Sequence, residues 1–224
     1  YTEFWSCCWS IHPPSHIMAA LKTFFAFLAI VALANCFTLG TFQGTGASSQ
    51  RLQTKVYAQN PEIAPLPIRI GHGYDIHRLG PGKKLVIGGV EIDYELGAEA
   101  HSDGDVIYHS VVDAILGALT LPDIGQIFPD NDPKWSGADS SIFMEEAYKR
   151  MTEMGYTIGN VDVTLILQKP KVAGIKPAMK ENIVRLLRHD AGQVNVKART
   201  HEKVDSVGEG RAMECHVVVL LNKV

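Results

Sequence analysis

From Ile68 to the end of the chain, short β-branched runs alternate with longer stretches whose apolar residues recur every three or four positions. That alternation rules out an all-helical or an all-strand fold. Leu85–Ile87 and Val90–Ile92 flank Gly88-Gly89, a hairpin signal. Val106, Ile107, Val111, Val112, Ile115, Leu116 and Leu119 form a helical series, and residues 140–154 place Phe143, Ala147, Met151 and Met154 on one stripe that stops at Gly155. Residues 161–167 are a β-branched run ended by Lys169-Pro170. Lys176-Pro177 then opens a helix that buries Met179, Ile183, Leu186 and Leu187. Residues 194–198 and 213–221 read as closing strands. Interleaved in this way, residues 68–224 predict an α+β domain: a single mixed β-sheet covered on one face by helices, plus a β-hairpin.

With 46% apolar residues in 224 and a net charge of −3, the chain can bury one ordinary core and has no basic excess that would suggest nucleic acid. Cys7, Cys8 and Cys36 precede the domain and only Cys215 lies within it, so neither a disulfide framework nor a cysteine zinc ribbon is available there. Any metal must be held by His, Asp or Glu.

The first 67 residues follow different rules. Residues 1–17 carry no pattern that can be interpreted and read as translated upstream sequence. Residues 18–36 contain Lys22 and an uninterrupted apolar run at 24–34, too short to span a bilayer but of the length of a secretory-signal core. Residues 37–67 form a transit-like segment and linker: positions 38–60 are rich in Ser, Thr, Gln and Gly, carry Arg51 and Lys55, and contain no acidic residue. Signal plus transit, with Phe37 at the junction, resembles the two-part leaders of proteins sent to plastids enclosed by extra membranes. The expectation is a mature stromal protein without a stable membrane insertion; the alternatives are a single-pass anchor or a plain secretory signal.

Within the domain, Gly71-His72-Gly73-Tyr74-Asp75-Ile76-His77 carries the densest chemistry. If the strand that starts at Ile68 runs on through His77, Asp75 and His77 point to the same face, roughly 7 Å apart along the chain. His109, on the first predicted helix, is the third candidate ligand. Ser102 can cap that helix, with Asp105 at capping-box spacing. Asp105, His109 and Asp113 stand at i, i+4 spacing, so either carboxylate can hold the second imidazole nitrogen of His109. Two histidines and a carboxylate leave a fourth tetrahedral position open, as in catalytic rather than structural zinc. Taken singly, each histidine fits a surface or packed position better than a ligand role.

Five motifs stand in a fixed order: Arg69-Ile70-Gly71-His72-Gly73-Tyr74-Asp75-Ile76-His77, Ala100-His101-Ser102-Asp103-Gly104-Asp105, Leu121-Pro122-Asp123-Ile124-Gly125, Phe128-Pro129-Asp130 and Thr200-His201-Glu202-Lys203. In that order and spacing, over about residues 68–222, the chain resembles the 2-C-methyl-D-erythritol 2,4-cyclodiphosphate synthases. Thr200-His201-Glu202-Lys203-Val204-Asp205-Ser206 is nearer to the plant type. The resemblance implies a homotrimer with active sites between subunits. It also implies a CMP-releasing phosphorus-oxygen lyase of the non-mevalonate route to isoprenoids. The substrate would be 4-diphosphocytidyl-2-C-methyl-D-erythritol 2-phosphate, whose own 2-phosphate attacks the β-phosphorus of its diphosphate. Such a reaction asks a protein for alignment and charge neutralisation more than for a nucleophile.

The same resemblance implies Zn²⁺ at Asp75, His77 and His109, and Mg²⁺ or Mn²⁺ bridging the substrate phosphates near Glu202 with several waters retained. His101 and Thr200 match positions that steady the transition state. Substrate contacts carried over are those of Asp75, Ile76 and His77, and of His101 and Ser102, which meet the methylerythritol phosphate. Asp123, Ile124, Gly125, Phe128, Pro129, Asp130, Asn131 and Asp132 match segments that hold the sugar and its substituents. Leu167, Gln168, Lys169, Pro170, Lys171, Val172 and Ala173 match the loop that reads cytosine, and Arg199, Thr200, His201 and Glu202 complete the set. Without the resemblance, Glu202 reads as a surface carboxylate and His101 as a capping-region residue.

There are departures. Arg199 stands where bacterial relatives often have threonine and plant forms lysine, which keeps the charge for a phosphate contact. Ser206 replaces a bacterial aromatic, and Gly208-Glu209-Gly210-Arg211 inverts the charge order of the bacterial segment. The bacterial contacts to isoprenoid diphosphates in the central cavity are therefore not carried over; Arg211 can substitute only geometrically. Two other classes use the same residues: a zinc-dependent phosphohydrolase with a metal hydroxide as nucleophile, and a non-catalytic trimer that binds cytidine or isoprenoid phosphates.

Overall fold

The computed structural model of the chain describes residues 65–224; the leader segments lie outside the described residues. Its elements are β1 (Ile68–Pro81), β2 (Leu85–Ile87), β3 (Val90–Ile92), β4 (Leu96–Glu99), α1 (Val106–Ala118), the single turn α2 (Ile124–Ile127), α3 (Ser141–Glu153), β5 (Tyr156–Ile166), α4 (Lys176–Leu187), β6 (Val194–Arg199), the single turn α5 (Asp205–Gly208) and β7 (Ala212–Lys223). Five strands make one mixed sheet in the order β4-β1-β7-β5-β6, antiparallel except for the β5–β6 pair. β2 and β3 pair separately as the expected hairpin. Strand β4 and the two single-turn helices carry no periodicity long enough to be read from sequence. No helix among the described residues is long and apolar enough to cross a membrane.

The helices lie on one face of the sheet, α1 against β1 and β7, α3 against α1, and α4 against α3 and β6. Met144 and Met151 of α3, Met179 and Ile183 of α4, and Val161, Val163, Val217 and Val219 of the sheet fill the space between them. Strand β1 alternates accordingly. Gly71 and Gly73 are buried under α1, with Asp75 and His77 continuing that side, while Ile70, His72, Tyr74 and Ile76 stand exposed on the other. Ile70 is 70% exposed and Ile68, Tyr74, Ile76 and Val218 are also open, so the second face is apolar and uncovered in one chain.

Gly71 and Gly73 allow a backbone-to-backbone contact. A Cβ on Gly71 would run into the carbonyl of Ala114, and one on Gly73 into the carbonyl of Ser110. Ser110 fastens the same contact from the helix side, its hydroxyl lying 2.8 Å from the Val106 carbonyl oxygen and 3.1 Å from that of Cys215 in β7.

The cap of α1 differs from the sequence expectation. Asp105, rather than Ser102, is the N-cap, accepting the N–H groups of Ile107 and Tyr108 at 3.1 Å. It also accepts the N–H of Gly88 at 2.9 Å and of Gly89 at 2.6 Å. Those two glycines form the β2–β3 turn with φ of +59° and +70°, values that few other residues adopt. One carboxylate therefore pins the hairpin to the start of the helix. Burial pushes Asp105 up to about 6, against the N–H groups of Gly89, Gly88 and Tyr108, which pull it down.

Because the clash at Gly73 is with backbone, the neighbour cannot rotate away. Gly73→Ala is expected to cost about 1–3 kcal/mol or more, as overpacking does, read as a lower urea midpoint. Gly192→Ala, where nothing lies within 4 Å of the added carbon, serves as the neutral control.

Candidate active site

At the far end of the glycine-lined contact, Asp75 and His77 from β1 meet His109 from the first turn of α1. Asp75 Oδ2 lies 3.0 Å from His77 Nε2 and 2.9 Å from His109 Nδ1, and the two imidazole nitrogens are 3.2 Å apart. A tetrahedral ion bound at about 2.0–2.1 Å separates its ligand atoms by roughly 3.3–3.4 Å, so this triangle needs little adjustment to hold a divalent metal. The other carboxylate oxygen, Oδ1, accepts the Ile76 N–H at 2.8 Å, which turns Oδ2 toward the histidines. Burial raises the Asp75 pKa, but hydrogen bonds from His109 and His77, with their charge, outweigh it and hold the carboxyl well below the usual carboxylate range. It is a ready anionic ligand.

The outer partner of His109 corrects the sequence expectation. Asp105 is spent on the helix cap, and Asp113 accepts the Ile124 N–H at 3.3 Å. His109 Nε2 faces Ser140 Oγ at 2.9 Å and Ser102 Oγ at 3.1 Å instead. Residues facing one another across a helix-to-helix junction have no fixed spacing in sequence, so nothing in the chain marked Ser140.

Beside this triangle is a cleft of about 250 Å³ whose walls include His77, His101, Ser102, His109, Ile124, Gly125, Phe128 and Asp130. Trp135 and Phe143 also line it, and the sequence reading did not assign either to a site. Phe128, Trp135 and Phe143 form an aromatic cluster with centroids 4.5–5.6 Å apart, and Phe143 lies 5.9 Å from His109. The one available signal was Trp135, an indole in a polar loop. Asp123 and Asp132 do local work, capping α2 through the Gln126 N–H and a 3₁₀ turn through the Lys134 N–H. Pro129 is half-buried and Asn131 exposed in the connecting loop. Ile76 presents its side chain to the uncovered sheet face, away from the triangle.

A second cleft, of about 190 Å³, gathers Leu167, Gln168, Pro170, Lys171, Val172, Ala173, Arg199 and Thr200, with Lys176 and Ala198. Lys169 is exposed beside it and precedes a cis Pro170. Thr200 Oγ1 donates to Glu202 Oε1 at 2.8 Å, and Glu202 has φ +52°. His201 turns to Asp205 at 2.8 Å and to the buried Glu214 at 3.3 Å, lining neither cleft. The two clefts share no residue. Asp75, Cys215, Leu165 and Ala198 lie on one row across β1, β7, β5 and β6, so three strand spacings, about 14 Å, separate the halves within a chain. Cys215 itself is buried in the core, which pushes its thiol far up and leaves it no role as a nucleophile.

Residues 68–222 match the YgbB family. The chain is 58% identical over 175 residues to the chloroplastic 2-C-methyl-D-erythritol 2,4-cyclodiphosphate synthase of Oryza sativa, covering 78% of this chain and 79% of the rice protein. It is 51% identical over 156 residues to the synthase of that name from Proteus mirabilis, 70% of this chain and 98% of the bacterial one. Among solved structures it is similar to the Plasmodium falciparum IspF in complex with CDP, with a TM-score of 0.64 and 43% identity over 71% of this chain and 99% of that one.

One equivalent of a divalent transition metal is expected per chain, lost in His77→Ala and in His109→Ala. Because an imidazole must be unprotonated to ligate, affinity should fall as pH falls. Equilibrium dialysis with elemental analysis at two pH values checks both.

Proposed function

The chain belongs to the YgbB family, and from that premise we propose that it converts 4-diphosphocytidyl-2-C-methyl-D-erythritol 2-phosphate to 2-C-methyl-D-erythritol 2,4-cyclodiphosphate and CMP. The observation that carries the reading is the Asp75, His77 and His109 triangle opening onto a cleft walled by His101 and Ser102. An oxygen of the 2-phosphate bonds to the β-phosphorus as the bond from that phosphorus to the α–β bridging oxygen breaks. The bridging oxygen leaves with CMP, and no water is consumed.

The chain's own residues hold and align the two phosphates. His101 and Ser102 receive the methylerythritol phosphate, and the half-buried aromatic cluster keeps bulk water from one side of the cleft. When bound at Asp75, His77 and His109, Zn²⁺ supplies an electrophile for the β-phosphate. Glu202 would hold Mg²⁺ or Mn²⁺, which would neutralise phosphate charge there. It is exposed and already hydrogen-bonded to Thr200, so the loop couples the metal ligand to the residue that steadies the transition state. The cytidine occupies the second cleft, between Leu167 and Ala173, with Arg199 toward phosphate.

Two separate half-sites and an uncovered apolar sheet face support a homotrimer. The metal half of one subunit is then completed by the Thr200 and Glu202 half of its neighbour, with the open faces of the sheets gathered at the centre. Delivery to the plastid stroma is supported by the signal-plus-transit composition of residues 18–67 and by the chloroplastic names of the plant relatives.

The purified protein should release CMP and cyclic diphosphate in equal amounts as a trimer by light scattering. A strong chelator should abolish turnover and zinc restore it. Free phosphate carrying ¹⁸O from labelled water would instead identify a metal-hydroxide hydrolase. Glu202→Gln is expected to raise the Mg²⁺ or Mn²⁺ concentration needed for half-maximal rate at least tenfold, about one charge-assisted ligand's worth, with zinc content unchanged.

A further inference from the structure

His109 has a second nitrogen, Nε2, and the side chains that meet it form a chain of partly buried hydrogen bonds. Ser140, fully buried, places Oγ 2.9 Å from His109 Nε2. The same hydroxyl donates to Asp103 Oδ1 in a short hydrogen bond, and the Ser140 N–H donates to Asp103 Oδ2 at 3.0 Å. Asp103 is held in turn by the Asp105 N–H at 3.1 Å, while its own N–H donates to the Ala138 carbonyl at 3.0 Å.

Donor and acceptor counting settles the direction of this chain. An ionised carboxylate only accepts, so the hydroxyl hydrogen of Ser140 is committed to Asp103. Ser140 Oγ then offers His109 only lone pairs, and Nε2 must carry the imidazole hydrogen. With a metal ion held between Nδ1, Asp75 Oδ2 at 2.9 Å and His77 Nε2 at 3.2 Å, the Nδ1 lone pair is the one left to bind it; without the ion, Asp75 accepts a hydrogen from Nδ1 as well. The ordinary role for Ser140 would be to cap α3, since it occupies the N-cap position. Yet its side chain makes no cap hydrogen bond there, and Asp139 takes the Ser141 N–H at 2.8 Å instead. The hydroxyl has been diverted to His109.

We propose that Asp103 and Ser140 are positioning residues that fix His109 in the tautomer and orientation in which Nδ1 binds the metal. The proposal rests on the reading that Asp75, His77 and His109 hold a divalent metal. One consequence is local. With the Nε2 hydrogen taken by Ser140, Ser102 Oγ at 3.1 Å from the same nitrogen keeps its own hydrogen free for a ligand in the cleft it lines.

The test uses the full protein with Ser140→Ala, Ser140→Thr, which retains the hydroxyl, and Asp139→Ala, which weakens the start of α3 without touching His109. Zinc affinity is measured by competition with a chromophoric chelator and ligand geometry by the visible spectrum of the Co²⁺ form. Loss of such an outer partner typically lowers metal affinity 10- to 100-fold. That loss, with a changed cobalt spectrum, is expected for Ser140→Ala and not for Ser140→Thr or Asp139→Ala. A Ser140→Ala protein that binds zinc as tightly as wild type, with the same cobalt spectrum, overturns the proposal. The ¹⁵N spectrum of zinc-loaded wild type gives an independent readout that needs no variant to fold: His109 should carry its hydrogen on Nε2 and bind through Nδ1, and the reverse overturns the relay. Wild type that takes up no zinc overturns the metal reading and the proposal with it, whereas zinc uptake with the His109 hydrogen on Nδ1 overturns the proposal alone.

Discussion

The candidate site depends on the contact between the backbones of β1 and α1. Gly71 meets Ala114 and Gly73 meets Ser110, so two residues along the strand correspond to four along the helix in the opposite direction. The lengths agree, since two strand residues advance about 6.6 Å and one helical turn of four about 6 Å. Continued one step further, the same register brings Asp75 to the first turn of α1, where His109 stands, with His77 just beyond it. A side chain at either glycine would lift the helix off the strand and open the ligand triangle, although neither glycine touches it.

A second device acts at the same turn. Asp105 binds the hairpin glycines and the first helical N–H groups together, while Asp103, two residues earlier, receives Ser140 from α3. Two carboxylates in the loop between β4 and α1 thus divide the work, one placing the helix that carries His109 and the other placing the group that faces its far nitrogen. Both are acceptor-only groups surrounded by donors, and this is how charges as buried as Asp105 persist.

The two clefts keep the halves of the candidate site apart within one copy of the sheet. The candidate metal ligands lie on β1 and α1 and the Thr200 and Glu202 loop follows β6, with β7 and β5 between them. A mixed sheet with one face bare of helices and bearing Ile70, Tyr74, Ile76 and Val218 leaves apolar surface that water solvates poorly. In the homotrimer proposed above, association through that face brings one copy's loop to another's candidate metal ligands. The fold and the division of the site follow from the same strand order.

Local signals in the chain determined a good deal. The alternation of β-branched runs and helical stripes specified an α+β domain from Ile68, because periodicity is set by which residues must face a core. The two-residue spacing of Asp75 and His77 specified a shared face, because strand side chains alternate, and Gly88-Gly89 specified a turn that few other residues can make. Only the tertiary structure decided that Asp105 rather than Ser102 caps α1, that Ser140 rather than Asp105 or Asp113 meets His109, and that Trp135 and Phe143 wall the cleft. Those choices are made between segments far apart in sequence. Spacing along the chain carries no information about which of several capable side chains arrives first once helices and strands pack.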